Sequence, residues 1–466
     1  MTVSRRRFIT DSGRIGLMSA VLPSLSMSTA SLLAAQGPDI TETMTVGAAS
    51  VDITGVPGPE LSGFLARKQP STEIGTRLHA RALYLKKNDE TLLWIVLDSL
   101  CVAREIIDRV KNDLSEKYEI EPWRVVLSTT HTHSAPAASR MNNIGEANLL
   151  YVENVLLPGI FEVADAAKNS IEECFLVEAT GEADLNFDRR NAATKHLEQR
   201  VPAVAWKRPD GSFKTVLIGY AMHPVCHCSG LIHAEWPGAT AEVIRETFSQ
   251  ETEPFVIQGA CGNLNPKDRR PDEDNIRQMG QTLVQSVAEQ LKNAQPVRPY
   301  FSVRTRMTAT LLDVQDEAAI TAFARDNRKA DPAPDDFIGQ KLNKASDTWK
   351  AWAIGQLHGG GRDYLESEIA AIVLGHRAFV TAPFETLSWM NPELAKHTDI
   401  NCFAVGYTNG CYNYLAHDAA YDEGGYESDS AKMWYINFRM KRGELERLAK
   451  VSAPLVELAA KSAGLK

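Results

Sequence analysis

The chain has 466 residues, 44% hydrophobic and 23% charged, an ordinary globular composition that can bury one large core or two smaller ones. A formal net charge of −9 without a long basic run leaves no electrostatic footprint for nucleic acid. Seven cysteines, an odd number with no Cys-x-x-Cys pair, exclude a disulfide framework while leaving room for one bridge.

The N-terminus reads Ser4-Arg5-Arg6-Arg7-Phe8-Ile9, followed by a Ser-rich, weakly apolar segment that ends near Ala34-Ala35. This pattern predicts a twin-arginine signal peptide over 1–35, hence contact with the twin-arginine export machinery and a periplasmic or secreted protein. Pro23 and the serines make the segment a poor anchor, and no other stretch is long and apolar enough to span a membrane. A polar linker over 36–45 is expected next, then a single domain over 46–466.

Within that domain a first strand is expected over 46–53, closed by Pro57-Gly58-Pro59. Segments 76–86 and 91–97 read as neighbouring strands around Lys87-Asn88-Asp89, and 103–118 as a helix. The run 125–129 is a buried strand that leads into Thr130-His131-Thr132-His133-Ser134-Ala135-Pro136. Helix 151–170, strand 175–185 and a hairpin of 201–206 with 213–222 follow, the last entering His223-Pro224. Trp236-Pro237-Gly238 is expected to break the chain before helix 239–248, strand 254–258 and helix 274–292. Residues 314–357 read as a polar helical insertion or lid. Strands 366–374 and 377–382 pair around Gly375-His376, Pro383-Phe384-Glu385 opens a helix, and 403–405 is a short strand. The order predicts an α/β fold with a mixed β-sheet core flanked by helices and an active site at the strand ends.

Chemistry gathers at those ends. With side chains alternating along a strand, His131 and His133 would project to one face, as two ligands of one ion require. Further ends deliver His223 and Glu385, and the segment after Gly406 supplies Tyr412, Tyr414, Tyr421 and Tyr426. Histidine nitrogens with one carboxylate oxygen suit Zn²⁺ with a position left for water, which becomes a nucleophile near neutral pH. The bland alternative is a pair of satisfied histidines at a loop mouth. Cys226, His227 and Cys228 could instead form a compact structural zinc cluster, although no second cysteine pair completes it. His358-Gly359-Gly360-Gly361-Arg362 lacks the strand-to-helix context of a phosphate loop and reads as the end of a helix.

The segment Thr130 to Pro136 resembles the Thr-His-Thr-His-Ser-Gly-Pro signature of the neutral and alkaline, non-lysosomal ceramidases. The opening strand ending in Asp52-Ile53-Thr54-Gly55, the segment Asn186 to Arg189, Met222-His223-Pro224, Trp236-Pro237-Gly238, Pro383-Phe384-Glu385 and the tyrosine loop fall in that family's order, over roughly 46–430. The resemblance implies one zinc per chain held by His131, His223, Glu385 and Tyr414. His133, Arg189 and Tyr426 would then surround a scissile amide. Tyr414 and Tyr426 are preferred to Tyr412 and Tyr421 because they keep the spacing of the family's two functional tyrosines. The resemblance departs at Asn265, a substrate-side position where the family has serine, and at Lys466, where the chain ends without the family's C-terminal β-sandwich domain.

The expected function is therefore an exported zinc-dependent hydrolase that cleaves the amide bond of an N-acyl, small-molecule or lipid-like compound by attack of zinc-bound water. Two alternatives stand beside it: the same site acting on an ester or glycoside, and an exported binding protein without turnover.

Overall fold

The structure, a computed structural model, describes residues 42–191 and 193–466. The predicted signal over 1–35 and linker residues 36–41 lie outside the described residues. The first strand, Met44–Asp52, starts inside the segment expected to be linker.

The run Thr91-Leu92-Leu93-Trp94-Ile95-Val96-Leu97 is apolar on both sides of a strand and so must be covered twice. It lies in an eight-stranded sheet, in the order Glu253–Gln258, Phe213–Tyr220, Arg200–Lys207, Glu172–Glu182, Met44–Asp52, His79–Lys87, Glu90–Leu97, Val125–Thr129. The outermost pair at each edge is parallel and the inner pairs are antiparallel. Leu93, Ile95 and Leu97 pack on helices Arg104–Tyr118 and Leu157–Asn169. Leu92, Trp94 and Val96 face a second sheet of Phe301–Leu311, Tyr364–Leu374, Arg377–Thr381 and Asn401–Val405. Trp94 meets Phe255 at 5.5 Å and Phe379 at 5.8 Å in that layer, in edge-on geometry that aromatic quadrupoles favour.

Helices Glu235–Thr247 and Glu273–Asn293 cover the other half of the first sheet. The far face of the second sheet is closed by Glu444–Ala463, with Glu317–Asp326 and Phe337–Gly359 in the same core. The protein is thus α/β with a mixed sheet flanked by helices, as expected, and a second sheet packed face to face on the first. Among the described residues no helix is long and apolar enough to cross a membrane.

Four local expectations are corrected. Trp236-Pro237-Gly238 does not break the chain: it forms the first turn of Glu235–Thr247, where a proline's missing N–H costs nothing. Glu385 opens no helix: Glu385–Thr386 is a short strand parallel to Tyr414–Leu415. The strand Phe301–Leu311 and the helix Glu444–Ala463 were not foreseen. The fourth concerns the histidine strand and is taken up below. His358 does lie in the last turn of a helix, capped by Gly360 at φ +71°.

Candidate metal centre

The strand Val125–Thr129 ends before the histidines. His131 has φ +63°, a left-handed conformation that costs an L-residue on the order of 1–3 kcal/mol and persists only where surroundings enforce it. Strand alternation therefore does not bring His131 and His133 together, contrary to expectation. A tight turn does, with Thr130 N–H bonded to Leu97 O and His133 N–H to Pro224 O. The result is closer than alternation gives: the two Nε2 atoms lie 3.3 Å apart.

Hydrogen-bond accounting fixes the protonation of this cluster. His131 Nδ1 is 2.8 Å from Leu100 O, His133 Nδ1 is 3.1 Å from Gly63 O and His223 Nδ1 is 3.1 Å from Leu264 O. A carbonyl only accepts, so each Nδ1 carries a proton, and in the neutral ring each Nε2 turns a lone pair inward. The three imidazoles' ligand atoms all lie within 4.8 Å of one another. Burial and the neighbouring imidazoles push His133 well below its usual range, and burial with the charge of Arg189 brings His223 to about 4. Three converging lone pairs repel unless a cation sits among them. This is the arrangement of metal-binding histidines, whose second nitrogen donates to the protein.

Glu385 supplies the anion. Its Oε2 lies 3.0 Å from His223 Nε2, 3.3 Å from His131 Nε2 and 3.4 Å from the Tyr407 hydroxyl, while Oε1 accepts from Tyr435. Burial works against its ionisation, but His131 and His223 hold the carboxyl well below the usual range. Tyr407 stacks on His131 with ring centroids 3.9 Å apart. Two imidazoles, a third within reach and a carboxylate oxygen fit a Zn²⁺ donor set.

Tyr414 pairs with Glu385 across the two short parallel strands. Its hydroxyl accepts from Arg189 Nη2 at 2.9 Å. Arg189 also donates to Glu427 Oε1 at 2.8 Å, Gly262 O at 2.9 Å and Asn265 Oδ1 at 3.2 Å. Although burial opposes its charge, Tyr414 and Glu427 keep it protonated. Tyr426 rests edge-on against Tyr414 at 5.4 Å and is 38% exposed, at the open side of the cluster. All the sequence-predicted residues therefore stand in one region, with Asn265 holding Arg189. Tyr412 and Tyr421 point elsewhere, to Glu366 O and Met440 O.

Sequence reasoning missed Tyr407, Tyr435, Glu427 and Gly63. Tyr435 lies beyond the tyrosine-rich segment, and Glu427 meets Arg189 only through the fold. The one local hint was Gly63 in Ser62-Gly63-Phe64, held at φ +102°, where a Cβ would stand 2.4 Å from His133 Nδ1.

A second group, His227, His233 and Glu273, has the residue types of a metal site. One of its two imidazoles fails the same accounting. His233 Nδ1 accepts from Glu235 N–H at 2.8 Å, so neutral His233 carries its proton on Nε2 and donates it to Glu273 at 2.8 Å. His233 is left without a lone pair for an ion, whereas His227 Nε2 is buried with no hydrogen-bond partner among the described residues. Nor do Cys226 and Cys228 form a cluster: the backbone N–H groups of Cys226 and His227 bind Glu235, and Cys228 is exposed.

Residues 44–195 match the family described as neutral/alkaline non-lysosomal ceramidase, N-terminal. The neutral ceramidase from Pseudomonas aeruginosa has the same fold at 16% identity, with a TM-score of 0.67 over 90% of this chain and 75% of that one. A ceramidase complexed with C2 matches at 15% identity and a TM-score of 0.68, with the same coverage. Among curated proteins none matches the sequence. Residues 44–195 thus match the N-terminal family of the neutral/alkaline non-lysosomal ceramidases, and over 90% of its length the chain shares the fold of the two ceramidase structures.

Proposed function

We propose that the protein is an exported, zinc-dependent hydrolase of the amide bond in an N-acyl compound, lipid-like by its likeness to ceramidases. The observation that carries the reading is the convergence of three Nε2 atoms, each on a ring whose Nδ1–H is held by a carbonyl, with Glu385 beside those of His131 and His223. Zinc held by His131, His223, Glu385 and Tyr414 would supply Lewis acidity and an activated water.

The remaining residues divide the work. His133, neutral and less deeply buried than His131, takes and returns a proton beside the attacked carbon. Arg189 is held charged and oriented by Glu427 and Asn265, so it meets negative charge on the substrate oxygen without reorganising. Tyr426 stands at the open side, where its hydroxyl meets the scissile group. Asn265 acts through Arg189 as a positioning residue.

The test combines metal analysis with N-acyl, ester and glycoside substrates, each with and without chelator. His133→Ala and Tyr426→Phe are expected to keep their zinc and lose about 10²- to 10⁴-fold in kcat on the N-acyl substrate. A variant that loses zinc in step with activity is a ligand, and the division of roles fails. Full activity in both, or turnover of esters or glycosides only, would overturn the amidase reading. Export is proposed on Arg5 and Arg6: the Arg5→Lys/Arg6→Lys variant should accumulate folded in the cytoplasm, and unchanged export would show the motif is accidental.

A further inference from the structure

Arg67 is buried, 5% exposed, and its five N–H donors all go to backbone carbonyls. Nε donates to Ser229 O at 2.9 Å. Nη1 donates to Leu61 O at 3.1 Å and Ser62 O at 3.0 Å. Nη2 donates to His133 O at 2.8 Å and His227 O at 3.4 Å. None of the five acceptors is a carboxylate, so this cation is not one half of an ion pair. It is spent on main-chain geometry.

The segments it joins are the ones that aim His133. Leu61 and Ser62 precede Gly63, whose carbonyl fixes His133 Nδ1. His133 O is held directly. His227 and Ser229 belong to the loop that leaves His223-Pro224, and Pro224 O accepts His133 N–H at 3.3 Å. The main-chain N–H, the carbonyl and the ring of His133 are thus tied to three segments that meet at one guanidinium. The planar fork is what makes this feasible, because a lysine ammonium has three donors on a flexible stem and cannot reach all five carbonyls.

We propose that Arg67 is a positioning residue of the hydrolytic site, setting His133 against the substrate through its main chain without contributing to the metal. The role rests on the function proposed for His133 above. Arg67 touches none of His131, His223 or Glu385, so metal retention and loss of turnover should separate.

The experiment is a double-mutant cycle of Arg67→Lys with His133→Ala in the zinc-loaded, full-length protein, reading zinc content, melting temperature, kcat and KM. In the wild-type background, Arg67→Lys should keep one zinc and lose about 10²-fold in kcat with little change in KM, the scale of loss from a misplacement near 1 Å. In the His133→Ala background the same change should cost almost nothing further in kcat, because the group it positions is gone. A Lys variant with wild-type kcat, or equal losses in both backgrounds, would overturn the proposal, the second result marking a purely structural arginine. A companion measurement needs no variant: native-state hydrogen exchange of the wild-type protein. Ser62 N–H and His133 N–H, bonded to Ala135 O and Pro224 O, should open together with the 227–229 loop as one unit. Independent opening of these segments would also overturn it. Absence of N-acyl hydrolysis in the wild type would fail the functional reading alone, and the exchange result would still decide whether Arg67 joins the three segments.

Discussion

At His131 the backbone is strained and the ring is anchored, Nδ1 to Leu100 O and Nε2 toward Glu385. Strain at a residue that the surrounding hydrogen bonds over-determine is the form expected of a functional position. His131→Ala and His223→Ala should each purify without their metal, as elemental analysis would read, whereas full occupancy in the double variant would move the site elsewhere. Gly63 gives a sharper case. Any side chain at φ +102° is strained, and this one would also press on His133 Nδ1 from 2.4 Å. Gly63→Ala is therefore expected to cost on the order of 1–3 kcal/mol of stability and to lower kcat while leaving the zinc in place. An activity equal to wild type would show that the His133 ring has room to move.

Elements that bury both faces were legible, because Leu92 to Leu97 and Val125 to Leu127 leave no polar side to turn outward. Elements defined by a distant partner were not. Glu385–Thr386 is a strand only because Tyr414–Leu415 pairs with it, and its sequence resembles a helix start. Trp236-Pro237-Gly238 looked like a break because proline was judged without its place in the first turn. The helix Phe337–Gly359, read as insertion or lid, is pinned from several sides. Trp349 is fully buried, its Nε1–H donates to Asn437 O at 2.8 Å, and Lys432 Nζ lies 3.8 Å from the Phe323 ring beside it. Trp349→Ala should destabilise the whole domain by about 3–5 kcal/mol, visible as one lowered unfolding transition. A separate early transition confined to 314–357 would instead mark an independently opening lid.

Over the whole molecule, buried neutral histidines set the response to acid. His227 and His417 are brought to about 4, chiefly by burial, with His233 and Arg190 adding to the effect. An unfolded chain titrates these rings near 6.5. Between those values the unfolded chain binds protons that the folded one refuses. Stability therefore falls as pH drops from 6.5 toward 4, and above 6.5 these rings have no effect. At pH 5 the loss is on the order of 1 kcal/mol per ring. His417 stacks on Trp389 with centroids 4.8 Å apart and, among the described residues, has no hydrogen-bond partner on either ring nitrogen. His417→Phe keeps the stack and removes the titration, so melting curves in chelator between pH 7 and 5 should slope less than wild type. An unchanged slope would place the acid sensitivity elsewhere.

The sequence by itself determined the α/β class, the strands of the first sheet and the residue types of the centre. Periodicity and apolar runs are local properties, and His-Thr-His, His-Pro and Phe-Glu announce donors wherever the chain goes. Only the tertiary structure decided which nitrogen of each histidine is free, because the carbonyls that fix the tautomers belong to Leu100, Gly63 and Leu264, remote in sequence from the rings they hold. It also decided between two histidine clusters of similar composition. In one all three imidazoles turn Nε2 inward, while in the other His233 has both ring nitrogens taken by hydrogen bonds, a difference that lies in three-dimensional donor and acceptor pairing and leaves no mark on the order of residues.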